Sequence, residues 1–415
     1  MQYKIINSFI LFGLLTRSSL AINLNDDVSL HGYGTVGVAY QDNEDILYRN
    51  SLNAKNGAKG NFSLANYSSF GLQVDAQISE KLSLTAQGIV SEYNNNGNHL
   101  ELGWLNAKYQ FTDTSSVRIG KMRLPAFMYS DILNVSYSYD WIRLPDMYSL
   151  IAVNNYTGIE FNYDRDINDF TIMSTALYGE AQSVLYTDRH QGKIDRLNLY
   201  TDKIYALTFK LLYNDFSFRM GYSDFKLTLP SKDIDDVLNG LNALGIPMVS
   251  QAVNQYQIKD SSVQYIEVGA KYDFGNAYLV AEHMILDSNT FLSNNHAWYV
   301  GTGYNFENWS PFVLYSNVDS SQNYKNIKSE EGMPVELVRA INGTNQALSA
   351  ISESMVQVEL KTLSLGTTYN LSENSLLKLQ YDRQEEFKKN RLNFHFSDDN
   401  KVDLNIFSAA ISFVF

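Results

Sequence analysis

From Val28 onward the chain keeps a two-residue rhythm. Val28, Leu30, Gly32, Gly34, Val36, Val38 and Tyr40 alternate with Ser29, His31, Tyr33, Thr35, Gly37, Ala39 and Gln41, so one face is apolar or small and the other mostly polar. Successive side chains of a strand point to opposite faces, and this pattern suits a wall with oil on one side and water on the other. The rhythm returns in Phe70, Leu72, Val74, Ala76 and Ile78, breaks at Ser79-Glu80-Lys81, and resumes in Leu82, Leu84, Ala86, Gly88 and Val90. Further short turns are expected near Thr112 to Ser115, Asp166 to Asp169, Asn214-Asp215, Asp273 to Asn276, Glu307-Asn308 and Ser372 to Asn374, with longer polar stretches between them. Alternating short and long connections predict an all-β, antiparallel up-and-down barrel of about sixteen strands, in which Asn61 to Tyr67 and Leu197 to Tyr200 read equally as strand or loop.

What the sequence lacks narrows the choice further. Past residue 21 no apolar run reaches the roughly 20 residues of a spanning helix, so a membrane form must be a closed barrel whose backbone groups pair across strands. With no cysteine, neither a disulfide framework nor a thiolate metal site is available. A soluble sandwich would show the same alternation. Against it, aromatic residues crowd the strand ends at Tyr109 and Phe111, Phe161 and Tyr163, Tyr272 and Phe274, and Tyr304 and Phe306, where interfacial girdles belong. Ile411, Phe413 and Phe415 alternate with Ser412 and Val414 at the end of the chain, which resembles the C-terminal signal read by the outer-membrane barrel-assembly machinery.

At the other end, Lys4 precedes a mostly apolar stretch from Ile5 to Leu15, and Ser19-Leu20-Ala21 supplies the small residues of a cleavage site. Residues 1–21 are therefore expected to be a cleaved signal peptide and residues 22–415 one transmembrane barrel domain. Cleavage removes Lys4 and Arg17 and no acid, taking the formal charge from −13 to −15. That sign argues against nucleic acid as a partner, since phosphate contact needs clustered bases. Lipopolysaccharide and outer-membrane lipid are the expected surroundings of such a wall.

The stretch Gly103-Trp104-Leu105-Asn106-Ala107-Lys108-Tyr109, with Arg118-Ile119-Gly120-Lys121 and Pro125, resembles the wall and loop entry of the trimeric, sixteen-stranded porin superfamily of Gram-negative bacteria, among its general and phosphate-selective members. The resemblance implies a homotrimer, passive diffusion of small polar solutes and ions, no cofactor, and a long third loop folded into the lumen. Residues 124–145 follow the fifth predicted strand and occupy that place. Fixed charges around a narrow aqueous gap decide which ions pass. The loop offers Asp131, Asp140 and Arg143, and inward wall positions offer Arg118, Arg219, Lys271 and Lys378, with Arg123 at the loop entry. An acidic loop lining led by Asp131 and Asp140 predicts a modest cation preference. A sugar- or anion-selective porin is the alternative, although the scattered bases do not form a clear ladder.

Other classes fit less well. None of the six histidines stands in a recognisable nucleophile context, so no enzymatic activity is expected, and no histidine pair has the close helical spacing often used for zinc. An energised receptor would carry a plug domain ahead of its barrel. An adhesin barrel would fill its lumen with bulky residues, whereas the inward positions here include Ser83, Thr85, Gln87, Glu160, Asn162, Glu267 and Gln380. Two loops carry helical patterns, one capped by Ser231 and one opened by Pro334. Gly32 and Gly34 fit either the close approach of a neighbouring barrel or curvature of the wall.

Overall fold

The computed structural model describes residues 22–91, 100–190, 193–289, 293–321, 326–354, 358–386 and 402–415. The expected signal peptide lies outside the described residues. Sixteen long strands make the wall: β1 (Val28–Gln41), β2 (Ser69–Ser79), β3 (Leu82–Ser91), β4 (Leu100–Thr112), β5 (Ser115–Arg123), β6 (Asn155–Ile167), β7 (Phe170–His190) and β8 (Lys193–Tyr213) form its first half. The second half is β9 (Phe216–Thr228), β10 (Ser261–Asp273), β11 (Ala277–Ser288), β12 (Asn294–Tyr304), β13 (Trp309–Ser321), β14 (Glu359–Ser372), β15 (Ser375–Glu386) and β16 (Val402–Val414). Every neighbour is antiparallel, and β16 returns to β1 in the register Val414↔Tyr33 to Ile406↔Gln41, so the sheet closes. Two short strands, Ile22–Asn25 and Phe62–Ser63, pair with the ends of β1. Leu197 to Tyr200 belongs to β8, while Asn61 to Tyr67 contributes only the two-residue strand.

All seven short turns fall where the sequence places them. Two tight ones use asparagine in the left-handed region, Asn168 (φ 52°) and Asn214 (φ 47°), a conformation that its short polar side chain tolerates better than most. Around this rim the aromatic residues stay exposed and touch in pairs, with ring centroids 5.1 Å apart for Tyr109 and Phe111, 4.6 Å for Tyr272 and Phe274, and 4.5 Å for Tyr304 and Phe306. Outward positions such as Leu105, Ile119, Ile159, Leu207, Met220 and Val300 are exposed apolar residues, whereas the alternate, inward positions include buried Glu160, Arg219, Glu267, Glu282, Lys378 and Asp382. Apolar residues exposed in a continuous outer band have hydrocarbon rather than water as their natural neighbour.

Gly32 and Gly34 have a more specific use than either expectation. A Cβ at Gly34 would lie 2.6 Å from the ring of Phe413, and one at Gly32 would collide with the ring of Phe415. The two glycines are seats for the terminal aromatic residues, and Gly32 and Phe415 also exchange backbone hydrogen bonds of 2.8 Å. A closed up-and-down barrel places the last strand beside the first, but pattern does not fix their register, which is what seats these rings on these glycines.

Among the described residues three loop helices gather over the opposite rim: α1 (Lys232–Asn242), α2 (Pro247–Asn254) and α3 (Val335–Ser354). Ser231 caps the first by accepting from the Ile234 N–H, as its position predicts. The second was not anticipated, although Pro247 at its first position is a helix-start signal. Buried Leu238, Val249, Val253, Leu348 and Ile351 join one apolar cluster with Leu227, Val263, Val318 and Leu360 of the wall. The first loop lies on the projecting part of β7, where Tyr186 N–H donates to Leu52 O at 3.0 Å and Asn53 Nδ2 to Val184 O at 2.7 Å.

Candidate conduction site

The segment between β5 and β6 holds three single turns, Ser130–Ile132, Ser136–Ser138 and Asp146–Ser149, and is bound side chain by side chain to the inner face of the second half of the wall. Met128 N–H and Tyr148 Oη both donate to Glu282 on β11, each at 2.8 Å. Tyr265 Oη on β10 donates to Ala126 O at 2.6 Å, and Arg219 on β9 reaches the carbonyls of Pro125 and Ala126 while pairing with Glu267. The buried Lys378 ammonium on β15 donates to the carbonyls of Ser136, Tyr139 and Trp141. Tyr137 Oη reaches Glu373 O in the turn between β14 and β15 at 2.6 Å. These bonds satisfy groups that would otherwise be buried without partners.

One knot is ionic. Arg143 lies 2.5 Å from Asp146 and 3.6 Å from Asp382, all three side chains are nearly inaccessible, and Ser316 donates to Asp146 at 2.5 Å. Gln380 accepts from Ile142 N–H at 2.7 Å beside it. Asp140 accepts from Tyr278 Oη at 2.7 Å and lies within electrostatic reach of Lys378 and Lys271, with burial pushing its carboxyl above the ordinary carboxylate range. Lys271 pairs with Asp273 at 2.8 Å near the turn rim.

The first half of the wall is left open. A cavity of about 980 Å³ runs along β4 to β9 and receives the bases Lys108, Arg118, Arg123, Lys210 and Arg219. Its acids are Asp131, Glu160 and Asp164, with Arg118 lying 3.5 Å from Glu160. A second polar cavity, about 720 Å³, is bounded by Asn50, Ser91, Glu101 and Tyr139 and also by Arg123. Of the sequence candidates, Arg118, Arg123, Asp131 and Arg219 thus border one space. Arg143 borders the second cavity together with Arg123, while Asp140, Lys271 and Lys378 border neither cavity, both bases lying within electrostatic reach of the Asp140 carboxylate. The acids do not outnumber the bases there, contrary to the expected acidic lining. Lys108 and Lys210 are two further bases there, and each carries the sequence signal of Arg219, a base between outward apolar neighbours.

A closed sixteen-stranded antiparallel barrel with an oily exterior, an aromatic girdle and open space lined by charges inside defines an outer-membrane channel. The chain belongs to the Gram-negative porin family, whose model it matches over residues 14–389. Solved structures agree in fold. An anion-selective porin from Comamonas acidovorans is 12% identical over 94% of this chain and 99% of its own, with a TM-score of 0.55. OmpF of Salmonella typhi in complex with daunomycin is 11% identical over 95% and 100%, with a TM-score of 0.54. In-vitro folded OmpT, an outer membrane protein of Vibrio cholerae in trimer form, is 12% identical over 94% and 100%, with a TM-score of 0.52. No curated protein sequence matches the chain.

Proposed function

We propose that this outer-membrane porin passes small hydrophilic solutes and ions through the lumen without catalysis, with the segment from Leu124 to Asn154 folded into the barrel as its constriction. The observation that carries this reading is that the two polar cavities share Arg123, which makes its guanidinium the natural narrow point of a continuous wet path. Asp131 stands on the loop side and Arg118 on the wall side of the lower cavity, an arrangement that turns dipolar solutes across the gap. With Arg219 spent on Glu267 and Arg118 on Glu160, Lys108, Arg123 and Lys210 stand against Asp131 and Asp164 in that cavity, and the path favours anions weakly. A homotrimer is the proposed assembly, supported by the trimer form of a protein with the same fold.

Single channels in planar bilayers under a potassium chloride gradient test this. Wild type is expected to give ohmic steps with a reversal potential on the anion side. Arg123→Gln is expected to move it toward cations and Asp131→Asn toward anions, each changing the permeability ratio by about twofold. Absence of steps, or identical reversal potentials in all three, would overturn the assignment.

A further inference from the structure

The half of the lumen toward the helical loops is built differently from the half toward the short turns. Leu199 and Ile204 on β8, Phe225 and Leu227 on β9, Val263 on β10 and Leu286 on β11 all take inward positions there and line a space of about 1090 Å³. The loop supplies its floor, with Leu124, Ala126 and the run Leu150 to Val153, and Leu52 of the first loop supplies part of its side. Its polar groups are few and peripheral, namely Thr201, Ser223, Ser288, Ser293, Asn295 and the Tyr265 hydroxyl, which is already committed to Ala126. Thr201 Oγ1 is buried and has no hydrogen-bond partner among the described residues. Apolar walls around open space, with one or two unspent polar handles, are the make-up of a small-molecule site rather than of a simple aqueous vestibule.

The base-rich cavity lies directly beyond the floor. The residues Leu124 to Phe127 separate the two spaces: Leu124 and Ala126 face the apolar one, while Pro125 and Phe127 face the one holding Lys210 and Arg219. Strands β8 and β9 contribute to both, Leu199 and Leu227 above, Lys210 and Arg219 below. A hydrophilic anion has nothing to hold it in the upper space, and an apolar neutral molecule has nothing to draw it downward. A solute with both properties meets favourable surroundings in sequence.

We propose that the upper chamber is a binding site for organic anions with a compact apolar body, of the aromatic monocarboxylate class, which the channel takes up ahead of small hydrophilic anions. This rests on the channel reading above. Thr201 is the donor available to the solute's polar substituent, and the base-rich cavity is the next station for its carboxylate.

The test uses the full-length protein in planar bilayers, with benzoate, acetate or benzyl alcohol added on the side of the long loops. Benzoate is expected to interrupt the potassium chloride current with dwell times about tenfold longer than either acetate or benzyl alcohol. The double variant Leu199→Ser, Leu227→Ser is expected to lose that tenfold excess. The variant's dwell times are read against its own acetate dwell times, and its folding is checked by the gel shift between unheated and boiled protein. Benzoate behaving like acetate, or like benzyl alcohol, in the wild-type channel would overturn the proposal while leaving the channel reading intact. A folded double variant that keeps the benzoate excess would overturn it as well. No current steps at all would mean that the channel reading itself has failed, and this proposal with it.

Discussion

Two sectors of one wall face inward to opposite effect. Toward the short turns, inward side chains of β4 to β8 border open, charged space. From β9 to β16, Arg219, Tyr265, Glu282, Ser316, Lys378, Gln380 and Ser412 instead hold the segment between β5 and β6. Both sectors read alike as sequence: Lys210 stands between Phe209 and Leu211 and borders a cavity, whereas Lys378 stands between Leu377 and Leu379 and is buried against three carbonyls. A charge on the inner face of a barrel is thus free to act on solutes only where no loop claims it.

The sharpest way to break this contrast is Arg143→Ala in the buried sector. Stranding Asp146 and Asp382 without their cation is expected to lower stability by about 3–5 kcal/mol, read from guanidinium unfolding in detergent micelles. A loss below about 1 kcal/mol would show that water already reaches the knot. Glu282→Leu comes next, because it leaves the Met128 N–H and Tyr148 hydroxyl unpaired at roughly 1–3 kcal/mol each. It is also expected to free the loop and raise conductance, and a conductance no higher than wild type would argue that Glu282 does not hold the loop in place. Arg118→Gln in the open sector is expected to change stability by no more than about 1 kcal/mol, since its pair with Glu160 is long and partly solvated. Unfolding as damaging as that of Arg143→Ala would erase the distinction between the sectors.

Much of the architecture was legible because a period of two is a direct record of which face each residue takes. The strand alternation, the seven short turns and the helix capped by Ser231 all follow from local pattern and turn chemistry. The site was legible only in part. Local pattern identifies Arg118, Asp131 and Arg219 as charges inside the barrel, and Arg123 as a charge at its loop entry, and these do share a cavity. It gave Lys378 and Arg143 the same standing, because burial there depends on residues more than a hundred positions away, Ser136 against Lys378 and Asp382 against Arg143. The apolar chamber escaped for a related reason. Leu199, Leu227 and Leu286 are apolar on the face that the rhythm assigns to water, and a strand apolar on both faces loses the alternation by which it is recognised.

The first loop's grip on β7 bears on how such barrels live side by side. β6 pairs with β7 only as far as Glu180, so the backbone from Ala181 onward presents an unpaired edge beyond the wall. A bare edge of that kind recruits any strand it meets, including the same hairpin on the next molecule. With Leu52 O and the Asn53 amide occupying that edge, crowded copies can sit close together without knitting into a shared sheet.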